Sequence, residues 1–279
     1  MVVTVAGPGH TTGGLRTIGI KMAGPKKSLG QHWLKDRDVL AAIADDAEIR
    51  EGDTVLEIGP GLGTLTSELL KRAARVVAVE LDEDLAAKLP GQFPGKNLEV
   101  IQQDILQYDL SKLPKDYVVV ANVPYYITSK IIKLLLGSPN KPRQIVLLVQ
   151  KEVAERLAAE PGQLSILAIS AQVFAEVSLG DMVPAKMFTP PPKVDSEVVI
   201  LKTRAQSLLG NVDEADFFRV VKAGFSAKRK KLRSSIAGGL GISKEEAERI
   251  LMKAQINPDE RAEALTIEAW RKLAEIVAA

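Results

Sequence analysis

The sequence predicts an α/β fold, a mostly parallel sheet covered by helices, followed by a smaller all-helical unit. Three observations carry this. Short β-branched runs alternate with helix-period segments from Asp53 to about Ala158, the rhythm of parallel strands joined by crossover helices. A glycine-rich turn, Gly59-Pro-Gly-Leu-Gly63, links the first of those strands to its helix. Beyond about Arg204 no strand-like run remains, and short helical patterns follow one another.

Taken in order, residues 1–24 carry glycine, threonine and proline without apolar periodicity and read as a disordered tail, with Met22 offering an alternative start. Val39, Leu40, Ile43 and Ala44 recur at helical spacing. Strands are expected over 54–58, 76–79, 98–101, 117–121 and 145–149, and helices over 64–72, 82–89, 129–136 and 151–158. A helix over 165–173 precedes two more strands, 176–182 and 197–203, separated by the proline-rich run from Phe188 to Ser196. An antiparallel pair closing the sheet fits these last two. Helices around 214–225, 229–237, 244–254 and 266–277 complete the chain, with Gly238, Gly239 and Gly241 punctuating the end of the second. The expected division is therefore a tail (1–24), a catalytic domain (25–204) and a helical domain (205–279).

Composition narrows the chemistry. With 279 residues, 46% hydrophobic and 26% charged, the balance is that of a soluble globular protein. No apolar run reaches bilayer-spanning length, and the opening lacks the basic region and apolar core of a secretory signal. A cytoplasmic monomer without membrane contact is expected. Cysteine is absent, which excludes disulfides, thiolate catalysis and cysteine-ligated metals. With only His10 and His32 present, neither a metal centre nor a Ser-His-Asp triad is expected. Net charge is only +2, yet Lys222, Lys228, Arg229, Lys230, Lys231 and Arg233 fall within twelve residues that contain no acid. Lys26, Lys27, Lys35 and Arg37 form a second basic group. Such runs are usually solvated faces; two in a nearly neutral chain point toward a polyanion.

The stretch from Val118 to Ile132 carries the chemistry. Its valines read as a buried strand that delivers Asn122-Val-Pro-Tyr-Tyr126 to the carboxyl edge of the sheet, where open α/β sheets bind ligands. Asn122 offers an amide acceptor, Pro124 fixes the backbone direction and Tyr125 presents an aromatic face. An acceptor beside a stacking surface suits a planar base with an exocyclic amine. A proline-turned strand end with two packed tyrosines is the plainer reading, and alone the two weigh about equally. The preceding strands tip the balance. Gly59 and Gly61 let backbone approach a ligand, and Glu80, closing the second strand, is placed to bind ribose hydroxyls. A dinucleotide enzyme would show the same features. Asp104, ending the third strand where it can accept from an adenine amine, and Asn122, ending the fourth, favour S-adenosylmethionine over a nicotinamide cofactor.

Together these motifs, from KKSLGQHWL at Lys26 through EIGPGLGTLT, QQDIL, NVPYYIT and FTPPPKVDS to AKRKKLRSSI, resemble the ribosomal RNA adenine N6,N6-dimethyltransferases, and the bacterial small-subunit enzymes among them most. The resemblance runs from about Lys26 to the C-terminus. It implies a Rossmann-like S-adenosylmethionine-dependent methyltransferase sheet with a small C-terminal helical domain. It further implies that His32, Leu34, Gly59, Glu80, Asp104 and Asn122 line the cofactor site, with Gln31 helping to close it. The implied activity is dimethylation of two adjacent adenosines in the 3′-terminal hairpin of 16S rRNA, in a pre-30S particle. The chain departs from the family's usual residues at His32 (Asn), Trp33 (Phe), Val123 (Leu) and in Thr128-Ser-Lys130 (Ser-Thr-Pro).

Adenine's exocyclic amine is a poor nucleophile because its lone pair is delocalised into the ring. The Asn122 side chain and the Val123 carbonyl are expected to bind its two N–H groups and localise that lone pair. Tyr125 is expected to stack on the base, and Phe188 to cover its other face unless it simply anchors its loop. The base must first leave its own stack. Lys228, Arg229, Lys230, Lys231 and Arg233 are expected to contact phosphates. Two rivals remain: a large-subunit adenine methyltransferase of the antibiotic-resistance type, and a ribosome-assembly factor that binds RNA without catalysis.

Overall fold

The computed structural model describes residues 31–227 and 229–278. The expected tail, the first basic group's Lys26 and Lys27, and Lys228 lie outside those residues. A two-residue strand β1 (Trp33–Leu34) leads into α1 (Arg37–Asp46). Asp36 caps that helix by accepting from the amides of Asp38 and Val39, and Leu40, Ile43 and Ala44 face inward.

The parallel sheet follows as the alternation predicts: β2 (Thr54–Ile58), α2 (Thr64–Leu69), β3 (Arg75–Glu80), α3 (Glu83–Lys88), β4 (Leu98–Gln102), β5 (Val118–Asn122), α4 (Thr128–Gly137), β6 (Gln144–Gln150), α5 (Lys151–Leu157) and α6 (Ile166–Gln172). The last strands are β7 (Ala175–Val183), the short β8 (Phe188–Thr189) and β9 (Ser196–Thr203). The main sheet has seven strands in the order β4-β3-β2-β5-β6-β9-β7. β9 runs antiparallel to both β6 and β7, which is the expected closing pair. Valines 118, 119 and 120 are fully buried because both sheet faces are covered.

Strand order reverses at the β2/β5 neighbour pair, where Glu57 stands opposite Val120. At such a reversal the connections leave on opposite faces of the sheet and open a crevice at the carboxyl ends. The turn after β2 and the segment after β5 both empty into it.

The chain then turns helical: α7 (Glu214–Phe225), α8 (Leu232–Leu240), α9 (Lys244–Lys253) and α10 (Ile267–Ala278). Their apolar residues, Phe217, Val220 and Trp270 among them, belong to one continuous cluster with Val119, Leu147 and Leu201 of the sheet. Helix α8 differs from expectation. It begins at Leu232 and runs through Gly238 and Gly239 to a left-handed cap at Gly241. Gly239 is helical for a packing reason, since a Cβ there would lie 2.4 Å from the Ala223 Cα of α7. The two helices cross too closely for any side chain at that point.

Candidate active site

One cavity at the carboxyl edge of β2, β3 and β5 gathers almost every residue singled out from the sequence. Gln31, His32, Leu34, Gly59, Gly61, Glu80, Asp104, Asn122 and Tyr125 all line it. The glycine turn forms its floor. Gly59, Gly61 and Gly63 have φ of 66°, 57° and 78°, left-handed backbone that favours residues without a Cβ. The space where a Cβ of Gly59 would stand is empty, so a ligand can lie directly on the main chain.

Glu80 is held from below. Its Oε2 accepts from the Gly61 amide at 3.0 Å and its Oε1 from the Asp82 amide at 2.8 Å. Burial nevertheless raises its pKa. A carboxylate has about four lone-pair sites, so those left over can accept from vicinal hydroxyls. Asp104 stands two residues beyond the end of β4. Its Oδ1 caps the next turn by accepting from Leu106 N at 2.9 Å, leaving a second oxygen at the cavity. An open glycine floor, a carboxylate on one wall and an acceptor on another fit a nucleoside-bearing cofactor.

The strap before β1 closes the opposite wall. β1 pairs antiparallel with β8, Leu34 opposite Phe188. Thr64 Oγ1 donates to the Leu34 carbonyl at 3.0 Å. The His32 imidazole Nδ1 lies 2.7 Å from the Pro190 carbonyl and so carries the proton it donates there. The His32 ring also stacks on Tyr125, 5.9 Å between centroids. The Asn122 Nδ2 donates to the His32 carbonyl at 3.2 Å. That bond uses one of the amide's two N–H groups and fixes the side chain's orientation, leaving Oδ1 as acceptor. The Tyr125 hydroxyl is hydrogen-bonded to Ser196 Oγ at 2.8 Å, and burial raises its pKa. The ring is thereby locked at the mouth.

Phe188 does not line this cavity. It is 3% exposed, packed with Leu34 and Val198 in the core on the α1 and α2 face of the sheet. Its ring fastens the proline loop to β1, so as it stands the second aromatic face expected from the sequence is not presented. In the basic run, Arg229 and Lys230 are exposed, ahead of α8 rather than within it. Lys231 pairs with Asp259 at 3.1 Å, and Arg233 with Asp259 at 3.2 Å and Glu248 at 3.0 Å. The run has no acid in sequence, but the tertiary fold brings two acids to it.

The cavity also includes residues that sequence reasoning passed over: Glu57, Trp33, Leu81 and Tyr126. Glu57 is 1% exposed, and burial pushes its carboxyl up to about 8. Thr66 lies beside it, yet no hydrogen bond of normal geometry reaches either oxygen among the described residues. In the sequence Glu57 reads as part of the glycine motif; its one local signal is an acid placed one residue before the end of a buried strand.

Comparison with known proteins gives these features a setting. The profile described as "Ribosomal RNA adenine dimethylase" matches residues 22–279. Among curated relatives, the "Ribosomal RNA small subunit methyltransferase A" of Dehalococcoides mccartyi (strain CBDB1) is 44% identical over 252 residues, 89% of this chain and 87% of the relative. Among solved structures, a dimethyladenosine transferase from Plasmodium falciparum superposes with a TM-score of 0.75 at 29% identity, covering 87% of this chain and 96% of that one. The 23S rRNA methyltransferase ErmE superposes with a TM-score of 0.71, also at 29% identity, covering 88% of this chain and 100% of its own.

Proposed function

Because this chain belongs to the ribosomal RNA adenine dimethylase family, we propose that it is an S-adenosylmethionine-dependent enzyme that dimethylates N6 of two adjacent adenosines in the 3′-terminal hairpin of 16S rRNA, acting as a monomer on a pre-30S particle. The observation that carries this reading is the bond from Asn122 Nδ2 to the His32 carbonyl, which leaves Asn122 Oδ1 as an acceptor beside the Tyr125 ring. Relatives named for the small subunit at 42–44% identity support that target over the large subunit.

Gln31, His32, Leu34, Gly59, Gly61, Glu80 and Asp104 hold the cofactor, Glu80 toward the ribose and Asp104 toward the adenine amine. When bound, S-adenosylmethionine supplies an already activated methyl group. The protein's own work is alignment. Asn122 Oδ1 accepts one N–H of the target amine and the Val123 carbonyl accepts the other, which turns the nitrogen lone pair out of the ring. Tyr125 holds the extruded base by its face. No base is needed before attack, and the amine's surplus proton leaves to solvent afterwards. The second round presents an amine with one N–H fewer, which the Asn122 and Val123 pair accommodates by releasing one acceptor. Residues 205–279 act as the RNA-binding unit, with Lys228, Arg229 and Lys230 on phosphates and Lys231 and Arg233 exchanging their acids for RNA. Phe188 keeps the proline loop fastened to β1 beside the site.

The test is mass spectrometry of nucleosides from each ribosomal subunit of a strain lacking this chain. Loss of N6,N6-dimethyladenosine from the small subunit, restored by wild type but not by Asn122→Ala, is expected. Loss confined to the large subunit would move the target, and no loss at all would leave an RNA-binding assembly factor.

A further inference from the structure

Tyr126 is the exposed member of the tyrosine pair. It is 63% exposed at the rim of the cavity, and its side chain makes no hydrogen bond or ring contact among the described residues, unlike Tyr125. A lone exposed aromatic residue needs no explanation by itself. Its surroundings supply one. The turn that holds it, Tyr125–Ile127, runs directly into α4, in whose first turns Lys130 and Lys133 stand three residues apart on one face. Thr128, Ile131, Ile132, Leu135 and Leu136 are buried on the other side of that helix. Lys130 and Lys133 are exposed, and among the described residues neither has an acidic partner. An exposed aromatic ring therefore leads into a stripe of two uncompensated cations, the second roughly 7 Å along the axis from the start of α4.

We propose that this stripe is a second nucleotide subsite: Tyr126 stacks on the base adjoining the target adenosine, and Lys130 and Lys133 contact the phosphates leading from it. This rests on the reading of the cavity as a pocket for an extruded adenosine. Extrusion unstacks the target's neighbour as well as the target, and an exposed ring beside the mouth offers that neighbour a replacement face. Because the two target adenosines are adjacent, the base held on Tyr126 is the other target or the residue flanking it. Stacking uses only the base face, so the subsite accepts the neighbour whether or not its amine already carries methyl groups. Phosphates on Lys130 and Lys133 would fix the direction in which the strand leaves the pocket.

The experiment is equilibrium binding of unmethylated small-subunit particles, in the presence of S-adenosylhomocysteine so that no transfer occurs. Particles carry either the natural sequence or an abasic nucleotide beside the target. Tyr126→Ala should weaken binding of the natural particle about ten-fold, and Tyr126→Trp should restore it. On the abasic particle, wild type and Tyr126→Ala should bind alike. Lys130→Ala and Lys133→Ala should each flatten the salt dependence by a little under one unit, while the affinity of these two variants for S-adenosylhomocysteine stays at the wild-type value. Equal loss on both particles, or no loss on either, overturns the subsite. The underlying reading has its own readout: wild type that binds the particles but fails to dimethylate them when given S-adenosylmethionine would refute the activity and leave the binding result standing.

Discussion

The Asn122 side chain donates to the main-chain carbonyl of His32 across 3.2 Å, so the orientation of the proposed catalytic amide is set by a segment ninety residues earlier in the chain. Asn122→Ala removes the acceptor and leaves Tyr125 and the basic run in place. A transition-state contact of this kind is worth about 3–4 kcal/mol, or a hundred- to a thousand-fold in rate. Single-turnover methylation with particle and cofactor saturating should fall by that factor, with particle affinity nearly unchanged. A near wild-type rate would make Asn122 structural.

Tyr125→Ala should act on binding more than on the chemical step. Base stacking is worth about 1–3 kcal/mol, and the lost bond to Ser196 loosens the mouth further. Tyr125→Phe keeps the face and drops only that bond. Particle affinity in the alanine variant should fall at least five-fold, while the phenylalanine variant stays within two- to three-fold of wild type.

Glu57 makes stability depend on pH. Unfolded it titrates at 4.5, whereas burial in the fold raises it to about 8. Between those values the unfolded chain has released a proton that the folded chain retains, so stability falls as pH rises and the contribution is lost above about 8. Glu57→Gln, neutral throughout, should melt several degrees above wild type at pH 8 and match it only near pH 4, below the unfolded value. Parallel melting curves for the two proteins across that range would show that the carboxyl ionises freely in the fold.

Two neighbouring glycines in α8 should respond in opposite directions. Gly238→Ala meets nothing within 4 Å and replaces a poor helix former, a gain of about 0.5–1 kcal/mol. Gly239→Ala drives its Cβ to 2.4 Å from the Ala223 Cα, an overpacking that costs about 1–3 kcal/mol. Thermal melting should separate the two by several degrees, with Gly238→Ala the more stable. Equal melting temperatures would mean that α7 and α8 can part at no cost.

The two halves of the basic run should differ in salt dependence. Arg229 and Lys230 are exposed without acidic partners among the described residues, whereas Lys231 already pairs with Asp259. Arg229→Ala/Lys230→Ala should flatten the salt slope of RNA binding by about one to two units, and Lys231→Ala by less. A larger effect at Lys231 would show that Asp259 yields it completely to phosphate.

The sheet was legible in the sequence because its signals are local. Period-two and short β-branched runs, each closed by a glycine turn or a polar residue, fix where strands begin and end, and Glu80, Asp104 and Asn122 declare themselves by standing at or just past those ends. Parallel strands with crossover helices then leave almost no freedom in where those ends meet. The wall opposite was not legible. His32 and Pro190 lie 158 residues apart, and nothing in Trp33-Leu34 or Phe188-Thr189 announces that each completes the other's two-residue strand. Strands so short have no pattern of their own and exist only because the rest of the fold holds them together. The same non-local closure buried Phe188 against Leu34, carried α8 through two glycines to reach Ala223, and set Asp259 and Glu248 against a run that is purely basic as written. Backbone period and residue chemistry chose the elements and the edge at which they act; which side chains remain free to act there was decided only when distant segments came into contact.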